Sequence, residues 1–444
     1  MSYNAEVLLH RLSELESLAG SPARFVIALS GGLDSTALAH LLATTRAQHG
    51  KSLLAVHVDH RLHPDSASWA AQCQALAAEF EIDFACEVVH VDVDSGQGTE
   101  AAARDARYTA LCNHIAGGDW LLSAHHQDDQ AETLLLNLLR GSGPAGVAAM
   151  PSIRKLGDSW LVRPLLDVSR DELESYAASE DLSWIDDPSN DDCSFDRNFL
   201  RKEVIPILAS RWPGSGTTLA RSAELARESA NLLTELADLD RASIGGTGSR
   251  LPVSALSKLS SSRQRNLLRR VTQLAGLPAP AAAHLQLIVE QLLPARADAE
   301  PLVAWPGAEA RRYRDTLYLL PAISAADFEC GQSLDSSAVT IGPGLGELLL
   351  VDGGGRGLSR DVVARGLTLH RRKGGEEIKP VGQSHTRKLK KLLQEEGIVP
   401  WQRGLLPLVY SGGDLVAVAD LWIAADVVAE NGLAICWEGR PELY

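Results

Sequence analysis

The stretch Phe25–Ser35, FVIALSGGLDS, narrows the folding options of this chain more than any other. Five apolar residues end at Ser30-Gly31-Gly32, and a helical pattern of small and apolar residues starts at Leu33 and runs to Leu42. A run that is apolar throughout reads as a strand covered on both faces, so layers must pack above and below it. Glycine lets the connecting turn take a positive φ or lie close to a ligand. Beyond the turn, the free N–H groups of the new helix and its dipole favour an anion. Ser30 and Ser35 add hydroxyls, and Asp34 is placed to hold Mg²⁺ against phosphates. Two glycines alone would describe an ordinary strand-to-helix turn. Serines at both ends and an aspartate between them make a nucleotide-phosphate loop, Ser30, Gly31, Gly32, Leu33, Asp34 and Ser35, the better reading.

The pattern continues in kind. A leading helix is expected over 4–18, a second strand at 53–60, a helix at 66–80, a third strand at 86–93 and a helix at 100–117. A fourth strand is expected at 120–126 and a helix at 128–141. Apolar strands alternating with helices predict a parallel, Rossmann-like α/β sheet with its ligand beyond the carboxyl ends of the strands. Ser30–Ser35, Asp59-His60-Arg61 and His125-His126 all fall at such ends and should face one crevice.

Composition limits the alternatives. A chain of 444 residues exceeds one compact unit, and 45% hydrophobic residues suffice for real cores. A net charge of −15 does not by itself suggest nucleic acid, although it can hide a local basic patch. Six scattered cysteines without a C-x-x-C pair speak against disulfide, zinc and iron–sulfur frameworks and for a reducing compartment. The amphipathic, acid-bearing start differs from a signal peptide, and no apolar run is long enough for a membrane span, so a cytoplasmic location with no membrane partner is expected.

In AHHQDDQAETLLLNLLRG (124–141), Asp129 and Glu132 are three apart on one helical face, with His125 four residues before Asp129. Asp128 at the helix start suits a cap. A solvated acidic face is the plainer reading of Asp129 and Glu132. It is weakened by the leucines that bury the other side and by the crevice at this end. Two histidines beside two acids also admit a transition-metal site, but no further ligand spacing supports one. Arg104 and Arg107 read as a salt-bridged face, gaining weight as charge stabilisers of phosphoryl or nucleotidyl transfer if they lie near the crevice.

With these residues in view, SGGLDS resembles the PP-loop of ATP pyrophosphatases, not the Walker loop, whose G-x-x-x-x-G-K-[ST] is absent. SGGLDS, HVDHRLHPDS, EAAARDARY, AHHQDDQAETLLLNLLRGSGPAGVAAM, RPLL (163–166) and WIDDPSNDDCSFDRNFLR (184–201), in that order, are together similar to the bacterial tRNA(Ile)-lysidine synthetase family. RRKGGEEIKP (371–380) resembles that family's last domain; His63 departs from its pattern, where an arginine is more usual. The resemblance implies ATP and Mg²⁺ as cofactors and L-lysine and an isoleucine tRNA with a CAU anticodon as partners, with a homodimer left open. It implies ATP binding by Ser30–Ser35 and Asp59, Mg²⁺ near Asp34, catalysis by Asp34, Arg104, His125, Asp129 and Glu132, and a motif-arginine region at Arg197 and Arg201 on the tRNA side.

After Pro206 the alternation stops. Residues 217–240, 262–275 and 282–293 carry helical leucine and alanine spacing, and Arg269, Arg270, Arg311, Arg312 and Arg314 suit either solvated faces or phosphate contacts. The expected domains are therefore a PP-loop catalytic domain at 1–214, a helical middle domain contacting tRNA at 215–320, an irregular linker at 321–360 and a small α+β domain at 361–444. Between Arg365 and Arg403 ten bases meet four acids, a local excess of +6 in an acidic chain. A helix expected over 385–397 is basic at its start, so Arg371, Arg372, Lys388, Lys390 and Lys391 are candidate tRNA phosphate contacts. LPLVYSGGDLVAVADLWI (406–423) reads as a β-hairpin, its SGGD a turn and not a second nucleotide site.

Two other classes compete. A PP-loop sulfur transferase acting on tRNA is disfavoured by the missing C-x-x-C. A small-molecule amidotransferase or synthetase would need an ammonia source and would leave the basic stretch unused.

Overall fold

The computed structural model describes residues 3–91, 99–296, 299–322, 330–335, 338–342, 344–352, 355–441 and 443. The chain divides into two compact units, Met1–Leu233 and Thr234–Tyr444. The first runs α1 (Ala5–Ala19), β1 (Arg24–Ala28), α2 (Leu33–Thr44), α3 (Arg46–His49), β2 (Ser52–Asp59), α4 (Ser66–Glu79), β3 (Asp83–Val88), α5 (Thr99–Cys112), β4 (Trp120–Leu122) and α6 (Gln127–Leu139). It continues through α7 (Pro144–Val147), β5 (Ile153–Leu156), β6 (Ser159–Val162), α8 (Arg170–Ser179), α9 (Asp196–Phe199), a π-helical turn (Leu200–Val204) and α10 (Ile205–Arg211). The 30-residue α11 (Ser215–Ile244) crosses the division, well past the boundary expected at 214.

The sheet has the order β3-β2-β1-β4-β6-β5, parallel except for β5, which pairs antiparallel to β6 at the edge. Successive residues of β1 serve opposite layers. Phe25 and Ile27 pack with α1, α2, α4 and α8, while Val26 packs with Leu111 of α5 and with Val56, Leu121 and Leu161. This is why β1 is apolar throughout. α2 buries Leu33, Ala37, Leu38, Ala39, Leu41 and Leu42, almost all of its circumference, which explains its lack of a polar face.

Several expected ends move inward. β4 stops at Leu122, so His125 and His126 lie in the loop after the strand. α5 stops at Cys112 because the chain turns at Asn113–Ile115, five residues before the glycine pair at Gly117. The last residues of the strand expected at 86–93 lie outside the described residues, as do Gly353 and Gly354 of the GGGRG stretch.

The second unit holds more strand than its leucine spacing suggests. Arg250–Pro252, Thr316–Pro321, Ala308–Tyr313 and Leu302–Trp305 form an antiparallel sheet. It packs on the expected helices at Ser261–Leu274 and Ala282–Leu287 around Leu251, Leu267, Leu285 and Trp305. The stretch 321–360, expected to be irregular, supplies Val339–Gly342 and Gly346–Asp352, and the latter pairs along its length with Leu433–Glu438. The hairpin at Leu408–Ser411 and Asp414–Val418 turns on Gly412 and Gly413, both at positive φ.

Candidate active site

At the carboxyl end of β1 the loop closes on its own hydroxyls. The Ser30 and Gly31 N–H groups donate to Ser35 Oγ at 3.2 and 3.1 Å, the Gly32 N–H donates to Ser30 Oγ at 3.3 Å, and the two hydroxyls lie 3.0 Å apart. The serine oxygens thus occupy the amides that a phosphate would use. Gly32 is the N-cap residue and has no side chain to cap with, so the first-turn amides of α2 remain available to an anion. Gly31 adopts φ +84°, and a Cβ there would come within 2.4 Å of Ile185 Cδ1 and 2.8 Å of Cys73 Sγ. Its carbonyl accepts from the Ile185 N–H at 2.8 Å, which ties the loop to the segment after α8.

Asp34, in the first turn of α2, has one carboxylate oxygen 3.6 Å from His126 Nε2 and 3.8 Å from an Arg170 Nη. Its other oxygen is buried and has no hydrogen-bond partner among the described residues. Burial lifts the Asp34 carboxyl above the usual range, against the opposing pull of His126 and Arg170.

α6 begins with a reciprocal cap. His126 is the N-cap residue, its ring accepting from the Asp128 N–H, while Asp129 accepts the His126 N–H at 3.0 Å. Asp128, expected as the cap, instead accepts from the Arg170 N–H at the start of α8 at 3.3 Å. One turn along, Glu132 is fully buried. Arg197 Nε donates to one of its oxygens at 2.7 Å and Arg201 Nε to the other at 2.6 Å. The same two guanidiniums reach Asp129 Oδ1 at 3.1 and 3.2 Å. Burial alone would raise the Asp129 carboxyl, but the His126 ring, Arg197, His125 and the backbone donor outweigh it and hold it well below the usual range. Both arginine pKa values are pushed up: burial opposes this, and the carboxylates more than offset it.

Arg197 and Arg201, which the sequence reading placed on the tRNA side, are thus bound to the two acids expected to be catalytic. They sit on α9 and the π-helical turn, two adjoining elements that put residues four apart onto one pair of carboxylates. His125 lies close by, its Nδ1 2.6 Å from Ser123 Oγ. Burial, with Arg163 and Arg197 nearby, pushes its pKa down to about 4 against the pull of Asp129.

Asp59 is buried and accepts the Arg61 N–H at 2.8 Å, so it closes the loop after β2, where Arg61 has φ 52°. Arg104 is exposed on α5, and no ion pair joins it to Asp129 or Glu132 among the described residues. Arg107 donates to His60 at 3.2 Å. The sequence reading gave no role to Arg163, buried and donating to the Pro151 carbonyl at 2.8 Å, or to Arg170 beside Asp34, and it put His126 in the crevice without setting it between the two aspartates. RPLL was the only signal for Arg163, and the HH pair the only one for His126. Among the described residues no three His, Cys, Asp or Glu side chains gather as a metal site.

In the second unit, Lys388, Lys390 and Lys391 are exposed, while Leu389, Leu392 and Leu393 are buried. The helix there spans only Leu389–Glu395, because Arg387–Lys388 pairs as a strand with Glu377–Ile378. Arg372 lies 3.4 Å from Glu376, and Arg371 beside it is half-buried. Of the middle-domain arginines, Arg270 forks onto Asp238, Arg311 onto Glu309, and Arg312 donates to the Leu293 and Ala295 carbonyls, which are internal structural roles. No helix among the described residues is long and apolar enough to cross a membrane.

Comparison with known proteins adds independent findings. A PP-loop domain model matches residues 6–208, a TilS substrate binding domain model residues 251–318, and a TilS substrate C-terminal domain model residues 367–437. The tRNA(Ile)-lysidine synthase of Alkalilimnicola ehrlichii is 40% identical over 445 residues, covering 100% of both chains. That of Coxiella burnetii is 40% identical over 412 residues, covering 93% of this chain and 92% of its own. A solved U34-tRNA thiolase from Methanococcus maripaludis is 19% identical, with a TM-score of 0.40, over 51% of this chain and 80% of that one.

Proposed function

The chain belongs to the tRNA(Ile)-lysidine synthase family, and from that premise we propose how its first unit performs the reaction. The enzyme forms lysidine on tRNA(Ile) with ATP, at the wobble cytidine of the CAU anticodon, so that the tRNA reads AUA in place of AUG. In the first step the cytosine O2 attacks the α-phosphorus of ATP; an O–P bond forms and pyrophosphate leaves. In the second, the ε-amine of lysine attacks C2, a C–N bond forms and AMP departs with the former O2. The enzyme works in the cytoplasm, where its substrates are.

The Ser30–Ser35 loop binds the phosphates by exchanging its serine oxygens for phosphate oxygens at the same amides. Mg²⁺ fits Asp34, whose partnerless buried oxygen is a hard donor at the phosphate end of α2. Bound there, the ion would neutralise phosphate charge. The lysine side chain, with a reference pKa of about 10.4, arrives as an ammonium and must lose a proton before it attacks. Asp129 and Glu132 receive the ammonium as it displaces one guanidinium fork, and the released arginine then faces the adenylate. His125, kept neutral by burial and feeling the Asp129 charge, is the candidate acceptor for the proton. Lys388, Lys390 and Lys391 hold tRNA phosphate in the second unit.

The observation that carries this reading is the buried Asp129–Glu132 pair beside the phosphate loop, neutralised by side chains and not by solvent. Asp129→Asn and Glu132→Gln are expected to raise the lysine KM at least tenfold while slowing tRNA-dependent pyrophosphate release less, as read in single-turnover assays of each half-reaction. Because both Glu132 oxygens are already taken, a second reading makes Glu132 an anchor for Arg197 and Arg201 alone. Loss of adenylation with an unchanged lysine KM in Glu132→Gln would decide for it.

A further inference from the structure

His126 is 1% exposed and plays no part in the chemistry described so far. Its Nδ1 accepts the Asp128 N–H at 3.3 Å, so the ring proton resides on Nε2. That Nε2 lies 3.6 Å from an Asp34 oxygen and 3.5 Å from an Asp129 oxygen, and it completes a hydrogen bond with neither. The partnerless Asp34 oxygen is likewise buried. Two carboxylates crowded round one nitrogen would repel each other in a poorly hydrated site unless a donor stood between them. Among the described residues no other hydrogen-bond donor lies between these two oxygens: Arg170 reaches Asp34, and Arg197 and Arg201 bond Asp129 through its other oxygen, although the Arg201 charge is also felt at Asp34.

We infer that His126 is a positioning residue shared by the two half-reactions, its single Nε2–H holding the nucleotide-side Asp34 and the lysine-side Asp129 in one frame. When a cation takes up the Asp34 charge, the N–H is left to Asp129. It then fixes the oxygen that also accepts the His126 amide and leaves the other to face the incoming ammonium. The inference rests on the assignment of Asp34 to nucleotide and Asp129 to lysine given above.

Two substitutions separate the ring's two tasks. His126→Asn keeps a helix-capping oxygen for the Asp128 N–H but lacks a donor at the Nε2 position. His126→Gln extends an amide N–H to about that position. With the full-length enzyme, tRNA, ATP and lysine, His126→Asn is expected to fold with an unchanged melting midpoint, to slow adenylation about tenfold and to raise the lysine KM about tenfold. His126→Gln should recover both to within about threefold of the parent. The histidine ¹⁵N spectrum of the enzyme without nucleotide should show Nε2 protonated and Nδ1 bare. Equal loss in both variants, a change confined to one half-reaction, or a protonated Nδ1 would overturn the inference. Asp129→Asn measured alongside keeps the two levels apart. If it leaves the lysine KM unchanged, the underlying assignment fails; if it raises the KM while His126→Asn changes nothing, only the role of His126 falls.

Discussion

Glu132 has no exposed surface, yet it keeps two guanidiniums in place, and its neighbour Asp129 shares both. Removing one partner of such a group leaves buried charge uncompensated, which is why conservative amide substitutions suit these positions better than alanine. His125 shows the opposite electrostatics, a base kept neutral by burial among cations. Unfolded, its ring takes a proton below about pH 6.5; folded, only below about 4. Between those values the unfolded chain binds more protons, so this residue lowers stability as pH falls from 6.5 to 4 and adds no pH dependence above 6.5. An NMR titration of the His125 ring should accordingly give a midpoint near 4. One near 6.5 would remove it as a neutral acceptor in this site.

Gly31 connects the nucleotide loop to the fold around it. Its positive φ and the clashes a Cβ would make with Ile185 and Cys73 predict that Gly31→Ala lowers stability by about 1–3 kcal/mol in urea unfolding and weakens ATP binding. Unchanged stability would mean the loop relaxes freely. This element was legible from FVIALSGGLDS because each local signal agreed: apolar strand, glycine turn, small-residue helix. The Asp129–Glu132 face was legible too, by helical spacing. The fork of Arg197 and Arg201 was not, since it joins residues more than sixty positions apart through a π-helical turn with no sequence mark. Arg104, expected at the crevice from its motif neighbours, is exposed on α5, where its charge is felt at Arg163. Strands such as Leu302–Trp305 and Val339–Gly342 escaped notice because four residues hold too few periods to separate strand from loop.

At the scale of the molecule, an acidic chain carries a basic stretch on a small helix whose buried leucines turn Lys390 and Lys391 outward. Every phosphate that a substitution leaves without its cation should flatten the log–log salt dependence of tRNA binding by about 0.9 for duplex nucleic acid. Lys388, Lys390 and Lys391 changed together to Ala are expected to weaken tRNA binding and reduce that slope, while free ATP binding stays as it was. An unchanged slope would make them surface charges only. One chain adenylates an RNA base and then attaches lysine to it. The most direct test incubates the enzyme with labelled lysine, ATP and total bacterial tRNA and scores the label left on RNA after alkaline deacylation. Retained label that depends on ATP, and that falls in Asp129→Asn at sub-saturating lysine, is expected, because lysine is bonded to the base through nitrogen. Label released by alkali would mean an ester, and would contradict it.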